Sequence, residues 1–183
     1  MMINMTQNNV IVVGGGMVGA AMAIKLAQQG KSVRIIEKHL IDPSHVLSND
    51  NVDIRVSAIN RFSEKLLDGL GAMPILRKGR IAPYQQLEAF ERGDDKLLFD
   101  CADINTTHLG HLIENSLIQA SLWMQFEQYA IEVIEQKQVV SKIEQNADSI
   151  TLVYGEQRYT ASLVVAADGG QSQLRTKANI GVT

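Results

Sequence analysis

Hydrophobic and polar positions follow one another along this chain in short blocks that predict a mixed α/β fold. The apolar run Val10–Val13 predicts a buried strand, and apolar residues at helical spacing over Met17–Ala27 predict a helix after it. Gly30 is placed to end that helix, and Ser32–Ile36 predicts a second strand. The opening of the chain therefore predicts a β-turn-α-β unit.

A less regular pattern comes next. The polar stretch His39–Asn51, which contains proline and several Asn, Asp and Ser residues, predicts a loop. Asn60 is a predicted N-cap for a helix over Arg61–Leu70. The helical spacing predicts that four apolar side chains of this segment are buried: Phe62, Leu66, Leu67 and Leu70.

The middle of the chain predicts a hairpin and a long helix. Tyr84–Glu91 and Lys96–Asp100 predict two strands joined at Gly93-Asp94. Leu109–Ile113 predicts a further strand, and Glu114–Ala130 predicts a helix. Two apolar stripes on that helix predict burial against more than one neighbour.

The last third of the chain predicts short strands. Four of them are expected at Ile131–Glu135, Val139–Ile143, Ile150–Tyr154 and Arg158–Thr160. The run Leu163–Ala167 is apolar on both faces, which predicts a central position in a sheet. Asp168 follows it, and Ser172 and Arg175 mark the start of another helix.

Composition and charge narrow the class of protein. The chain has 183 residues, of which 45% are hydrophobic and 20% charged, which is typical of a globular α/β protein. A net charge of −3 with dispersed basic residues gives no reason to expect nucleic acid as a partner. The single cysteine fits a reducing compartment. Because no apolar run approaches the length of a membrane span and no secretory signal is visible, we expect a soluble, cytoplasmic protein.

The glycine turn after the first strand predicts a dinucleotide site. Gly14 allows a sharp turn, Gly16 allows the backbone to approach a pyrophosphate, and Gly19 allows the helix to lie close to the strand. The phosphates would meet the helix N-terminus, whose free N–H groups favour negative charge. Glu37, at the end of the second strand, is placed to accept hydrogen bonds from a ribose. The alternative is a glycine-rich turn that binds nothing.

Other polar residues have weaker signals. Arg55 is either a surface partner of Asp53 or a cation directed at cofactor phosphates. His108 and His111 do not share a helical face and have no carboxylate cluster beside them in the sequence, so they are interpreted as ordinary polar histidines and no metal site is predicted. Cys101 is interpreted as a structural or surface thiol.

Several separated segments together resemble a known family. With the glycine motif, Asp53–Ile59 (DIRVSAI) and Leu163–Arg175 (LVVAADGGQSQLR) resemble the class A flavoprotein monooxygenases and, more narrowly, the ubiquinone-biosynthesis hydroxylases. The segments PYQQLEAFE, LLFDCADI and LGHLIENSLIQASLW are most similar to the branch that hydroxylates 2-octaprenyl-3-methyl-6-methoxy-1,4-benzoquinol, or demethoxyubiquinol. The resemblance extends over nearly the whole chain.

The resemblance implies a cofactor, co-substrates and binding residues. It implies FAD, NAD(P)H and O2, and hydroxylation of a polyprenylated benzoquinol ring through a flavin C4a-hydroperoxide. Glycines 14, 16 and 19 would hold the ADP half with Glu37. Arg55 would face the pyrophosphate or ribityl region, and Asn115 the ribityl chain. Val139 would lie near adenine through its backbone. The full set of implied cofactor-binding residues is Gly14, Gly16, Gly19, Glu37, Lys38, Arg55, Asn115, Val139 and Asp168.

The resemblance also implies the fold class and the domain organisation. It implies a Rossmann-like FAD-binding domain of the glutathione-reductase type, with a parallel central sheet and an antiparallel hairpin from an incomplete substrate domain. Residues 1–183 would form the N-terminal part of the FAD-binding domain, with about residues 80–110 in the substrate-binding sheet. Family members are longer and carry a Gly-Asp flavin fingerprint that is missing here. We therefore expect an inactive, self-associating N-terminal fragment with no catalytic residue of its own. Its parent is expected to be cytoplasmic or peripheral to the inner membrane, and the resemblance leaves association with a biosynthetic complex open.

Other functions remain open from the residues alone. The chain could be a complete NAD(P)-dependent Rossmann oxidoreductase, although the interrupted βαβ series opposes this. It could be a nucleotide-binding or assembly module without catalysis. Within the family, it could act at another ring position of the same pathway.

Overall fold

The computed structural model describes residues 9–90 and 96–181. The strands are β1 (Asn9–Val13), β2 (Ser32–Glu37), β3 (Val56–Asn60), β4 (Ile81–Tyr84), β5 (Gln86–Phe90), β6 (Lys96–Asp100), β7 (Gly110–Glu114), β8 (Glu132–Glu135), β9 (Lys142–Gln145), β10 (Ile150–Tyr154), β11 (Gln157–Ala161) and β12 (Leu163–Ala166). The helices are α1 (Met17–Gln28), α2 (Pro43–Ser48), α3 (Arg61–Gly69), α4 (Met73–Leu76), α5 (Asn115–Trp123) and α6 (Gln173–Lys177), with a 3-10 helix at Cys101–Ile104.

A parallel sheet of strand order β12-β1-β2-β8 separates two hydrophobic cores. Side chains of a strand point alternately to opposite faces, so β1, β2 and β12 each contribute to both cores. On one face, Val12 and Ile35 are fully buried against the helices. On the other face, Ile11 and Ile36 share a core with Leu152 of the antiparallel sheet β11-β10-β9. The predicted α/β fold with a parallel sheet is confirmed.

Two smaller antiparallel units complete the described chain. One is the sheet β3-β7-β4, and the other is the hairpin of β5 and β6. The predicted pairing of the hairpin strands is confirmed, whereas its predicted turn at Gly93-Asp94 lies outside the described residues. Tyr84 ends β4, where it pairs with Gly110, instead of beginning the hairpin. All five residues of β5 are exposed.

The structure corrects two predictions in the first half of the chain. The predicted loop contains the short helix α2, because Asp42 caps it by accepting from the His45 N–H at 3.1 Å and Pro43 suits the first helical position. The Asn60 cap of α3 is confirmed. The prediction that Phe62 and Leu66 are buried is wrong, since they are 78% and 44% exposed. Leu67 and, just beyond the end of α3, Leu70 are buried as predicted, and the buried face also contains Glu64.

Three predictions in the second half of the chain are also wrong in detail. α5 ends at Trp123, and the following turns lead to Ala130, whose φ of 50° is incompatible with a continuing helix. Val139 lies in a loop before β9, not in a strand. β12 is at the edge of the described sheet, paired with β1 alone. It is apolar on both faces because Val165 contacts the helical core and Val164 the antiparallel-sheet core.

Candidate cofactor site

Two of the three motif glycines are required by the backbone around them. Gly14 has a φ of +100°, and its N–H donates to the Ile36 carbonyl at 2.9 Å. A Cβ on Gly14 would lie 2.3 Å from the Ala167 carbonyl oxygen. A Cβ on Gly19 would lie 1.9 Å from the Gly14 carbonyl oxygen, so this glycine allows α1 to lie directly against the turn.

Gly16 differs from the other two motif glycines because it faces open space. A Cβ built on it meets no atom within 4 Å. Gly16 is the N-cap of α1, and no side chain caps this helix end. The N–H groups of the first turn therefore remain available to an anion, and the absence of a side chain leaves room for it. This local geometry fits the pyrophosphate of a dinucleotide such as FAD.

Glu37 is held by three backbone N–H groups at the end of β2. Its Oε2 accepts from Gly15 at 2.5 Å, and its Oε1 accepts from Lys38 at 2.7 Å and His39 at 3.0 Å. Each carboxylate oxygen accepts about two hydrogen bonds. Oε1 is thus fully used, whereas Oε2 retains one acceptor position. The arrangement fits one hydrogen bond from a ribose hydroxyl to Glu37.

Glu37 binds the N–H of Gly15, and helix α5 binds the carbonyl of the same residue. The Gly15 carbonyl accepts from Gln119 Nε2 at 2.9 Å and from Trp123 Nε1 at 2.7 Å. A Cβ on Gly15 would lie 2.8 Å from the Trp123 ring, so this position also excludes larger residues. Gly15 and Gln119 were not among the predicted site residues. Their signal is the spacing of Gln119 and Trp123, which are four residues apart and therefore on one helix face.

The turn opens into a pocket of about 540 Å³ at the carboxyl ends of the parallel strands. Six of the implied cofactor residues line it: Gly14, Gly16, Glu37, Lys38, Val139 and Asp168. Gly19 does not line it, because it packs α1 against the turn. Ligands of open α/β sheets bind at this end of the strands. Polar residues that were not among the predicted site residues also line the pocket, including Gln136, Gln138, Tyr154 and Gln173.

A loop after β8 forms one wall of this pocket. The Gln136 N–H donates to the Glu37 carbonyl at 2.8 Å, which continues the pairing of β2 with β8. The Gln136 side chain then accepts from the Gln138 N–H at 2.9 Å and turns the chain. Val139 follows and is 56% exposed. The local hydrogen bonds thus explain why Val139 lies at the pocket rather than in β9.

Asp168 organises the opposite wall by accepting hydrogen bonds from the start of α6, whose N-cap is Ser172. Its Oδ1 accepts from Ser172 Oγ at 2.5 Å, and its Oδ2 accepts from the backbone N–H groups of Gln173 at 2.8 Å and Leu174 at 3.2 Å. Tyr154 is buried nearby, and burial, followed by the negative charge of Asp168, raises its pKa to about 12. Tyr154 is therefore neutral at physiological pH and can donate a hydrogen bond.

Arg55 and Asn115 do not line the pocket. They lie beside each other, since the Asn115 N–H donates to the Arg55 carbonyl at 2.9 Å and Ser57 Oγ donates to Asn115 Oδ1 at 2.6 Å. The Arg55 side chain is exposed, and its backbone N–H donates to Asp53 Oδ1, which is the main reason that the pKa of Asp53 is lowered. Asn115 is one helical turn before Gln119 and shares its face of α5.

None of the helices between residues 9 and 90 or between 96 and 181 combines the length and hydropathy that a bilayer crossing requires.

Curated relatives of this chain are hydroxylases. It is 35% identical over 174 residues to 3-demethoxyubiquinol 3-hydroxylase from Escherichia coli (strain K12). The aligned region covers 94% of this chain and 44% of that protein. It is also 29% identical over 175 residues to ubiquinone hydroxylase UbiL from Rhodospirillum rubrum. This alignment covers 95% of this chain and 40% of that protein. The chain thus spans less than half the length of these relatives.

Solved structures with the same fold include p-nitrophenol 4-monooxygenase PnpA from Pseudomonas putida. The TM-score is 0.69 at 23% identity, over 92% of this chain and 42% of that one. The Diels-Alderase PyrE3 gives a TM-score of 0.73 at 19% identity, over 95% of this chain and 35% of that one. At these identities the likeness concerns the fold alone. The model of the FAD binding domain family matches residues 7–183, and this chain belongs to that family.

Proposed function

We propose that this chain binds FAD at the glycine turn and serves a flavin-dependent hydroxylase that acts on a polyprenylated benzoquinol precursor of ubiquinone. The observation that carries this proposal is the 35% identity to a protein named 3-demethoxyubiquinol 3-hydroxylase, which extends over 94% of this chain. The open space at Gly16 and the free acceptor position on Glu37 support the FAD site.

The proposed binding roles come from the local geometry. The first turn of α1, reached past Gly16, would bind the pyrophosphate. Glu37 would accept a hydrogen bond from the adenosine ribose, with Lys38 beside it, while the loop at Val139 would cover the adenine. Gly14 and Gly19 would maintain the shape of the turn. Asp168 would hold the start of α6 at the pocket.

A second set of residues is proposed to extend the site beyond the pocket. Asn115 and Arg55 would meet the ribityl and pyrophosphate region, because Asn115 continues the face of α5 that holds the Gly15 carbonyl. The segment of about residues 80–110, with the hairpin of β5 and β6, would belong to the substrate-binding sheet. This assignment would explain why the hairpin exposes apolar side chains on both strands.

The reaction that we propose consumes O2 and NAD(P)H. Bound FAD would supply O2 activation with two electrons from NAD(P)H, so that one oxygen atom enters the ring as a hydroxyl group and the other leaves as water. The protein would hold the ring against the flavin and exclude water. A polyprenylated substrate resides in lipid, so we propose a cytoplasmic protein that associates peripherally with the inner membrane.

Quinone profiling tests this function. The complete gene product that contains this chain is expressed in an Escherichia coli strain that lacks 3-demethoxyubiquinol 3-hydroxylase, and quinones are extracted and identified by mass. We expect demethoxyubiquinone to fall and ubiquinone to be restored. Restored hydroxylation only in a strain that is blocked at a different ring position would reassign the substrate. A purified protein without flavin absorbance would reject the FAD proposal.

A further inference from the structure

A cluster of one carboxylate and two imidazoles lies away from the cofactor pocket. Glu64 is the fourth residue of α3, His111 is the second residue of β7, and His108 precedes that strand by two residues. The antiparallel pairing of Ile59 with His111 brings β7 beside the strand that leads into α3. The fold therefore unites residues that are 44 and 47 positions apart in the sequence. The interpretation of the two histidines as isolated polar residues missed Glu64.

The three side chains are close enough to share a single ion. Glu64 Oε1 lies 2.5 Å from His111 Nδ1, and Glu64 Oε2 lies 3.0 Å from His108 Nε2. All three ligand atoms lie within 4.8 Å of one another. The Glu64 residue is only 8% exposed, and the His108 and His111 side chains are 19% and 13% exposed. A carboxylate in this setting requires a cation or donated protons.

The contact between Glu64 and His111 is not an ordinary hydrogen bond. His111 Nδ1 is fully buried, and despite its 2.5 Å distance from the Glu64 carboxylate it makes no hydrogen bond of acceptable geometry among the described residues. An imidazole lone pair and a carboxylate oxygen repel each other at this distance unless a positive charge lies near both. A bound metal ion supplies that charge without requiring a linear N–H···O arrangement.

The ligand types favour zinc. Imidazole nitrogen suits Zn²⁺, and a set of two histidines and one glutamate leaves a fourth position for water. Tetrahedral Zn²⁺ with bonds of about 2.0–2.1 Å separates neighbouring ligand atoms by about 3.3 Å. The Glu64–His108 separation of 3.0 Å is already close to this value, and the Glu64–His111 pair has to open by less than 1 Å.

The surroundings of His108 also resemble those of a metal ligand. Ligating histidines usually hydrogen-bond through their second ring nitrogen, which fixes the tautomer and the ring orientation. His108 Nδ1 lies 2.9 Å from Thr107 Oγ1, which leaves Nε2 directed at Glu64. The His108 carbonyl accepts from Thr106 Oγ1 at 3.1 Å, so both the ring and the backbone of His108 are held by neighbouring threonines. We propose that Glu64, His108 and His111 form a Zn²⁺ site that links α3 to β7.

Calorimetric titration with Zn²⁺ tests this proposal on the untagged chain. We expect one ion per chain for the parent protein. His111→Gln and Glu64→Gln are each expected to weaken binding by more than about 100-fold, because even indirect changes around a zinc ligand cost about 10–100-fold. His45→Gln is the matched control, since His45 is exposed on α2 and should bind Zn²⁺ as the parent does.

Two further measurements keep the test decisive if a ligand variant fails to fold. Thr107→Val retains all three ligands and lies at an exposed position, and we expect it to bind Zn²⁺ about tenfold more weakly. Co²⁺ in place of Zn²⁺ should give the visible absorption of a tetrahedral site in the parent and in His45→Gln alike. Absence of Zn²⁺ binding by the folded parent, or equal affinities of His111→Gln and His45→Gln, would overturn the site and leave protons as the cations that satisfy Glu64.

Discussion

Alanine substitutions at two motif glycines should separate the stability of the turn from its affinity for FAD. At Gly19, a Cβ would lie 1.9 Å from the Gly14 carbonyl oxygen, a backbone atom that cannot move aside by a side-chain rotation. At Gly16, a Cβ meets no protein atom within 4 Å, and the φ of −64° and ψ of −179° suit alanine. The same chemical change therefore tests sterics at one position and ligand space at the other.

The structure sets the size of the expected effects. In Gly19→Ala, helix and turn have to separate by about 1.5 Å to restore an ordinary van der Waals contact. Overpacking of this kind costs up to about 3 kcal/mol, which lowers the Tm by roughly 6–12 °C in a chain of this size. Gly16→Ala should change stability by less than about 0.5 kcal/mol. Its methyl group would prevent a close N–H to phosphate hydrogen bond worth about 1.5–3 kcal/mol, so FAD affinity should fall roughly 10- to 150-fold.

Two assays check this pair of variants. Thermal unfolding followed by circular dichroism gives the Tm of each chain, and flavin fluorescence titration of the complete gene product gives the FAD dissociation constant. We expect a low Tm for Gly19→Ala and a nearly unchanged Tm with weak FAD binding for Gly16→Ala. The reasoning fails if Gly16→Ala binds FAD as tightly as the parent, or if the two variants lose the same stability.

Three other predictions concern the site, an ion pair and the hairpin. Glu37→Ala should weaken FAD binding by about tenfold or more through loss of a charged acceptor. The control Glu135→Ala, at the paired position of β8, should bind FAD as the parent does. Equal FAD dissociation constants for the two variants would remove Glu37 from the site. Arg80 holds the pKa of the Glu114 carboxyl below its ordinary value, so the pair stabilises the fold above about pH 4.5 and loses this effect as the pH falls further. Arg80→Met should therefore lower the Tm at pH 7 and make the Tm less dependent on acid pH. Parallel curves of Tm against pH for the parent and the variant would contradict this. The 183-residue chain should self-associate through the exposed hairpin, which light scattering would show, and Leu98→Lys should reduce the association.

Local signals account for the parts of the fold that the sequence predicted well. The glycine spacing of the turn and the cap at Asn60 each involve residues within a few positions of one another, so each is visible in a short window, even though Gly14 also contacts the distant Ala167. The buried side of α3 was predicted correctly at Leu67 and Leu70 only, because helical spacing alone cannot tell which of two apolar stripes meets the core. Phe62 faces solvent, while the polar Glu64 is buried beside His108 and His111, which are distant from it in the sequence and leave no local signal.

The difference between local signals and long-range contacts also explains which site residues could be predicted. The glycine motif and Glu37 lie within one β-turn-α-β unit, and the sequence was sufficient to place them together. The donors to the Gly15 carbonyl come from α5, which is 104 and 108 positions away, and no local pattern announces such a contact. These donors matter to the chemistry of the turn: they fix the Gly15 carbonyl on the α5 side while its N–H donates to Glu37. The peptide groups on both sides of Gly15 are thereby held in place before a cofactor arrives, so the ordering of the turn does not have to be achieved at the expense of binding free energy.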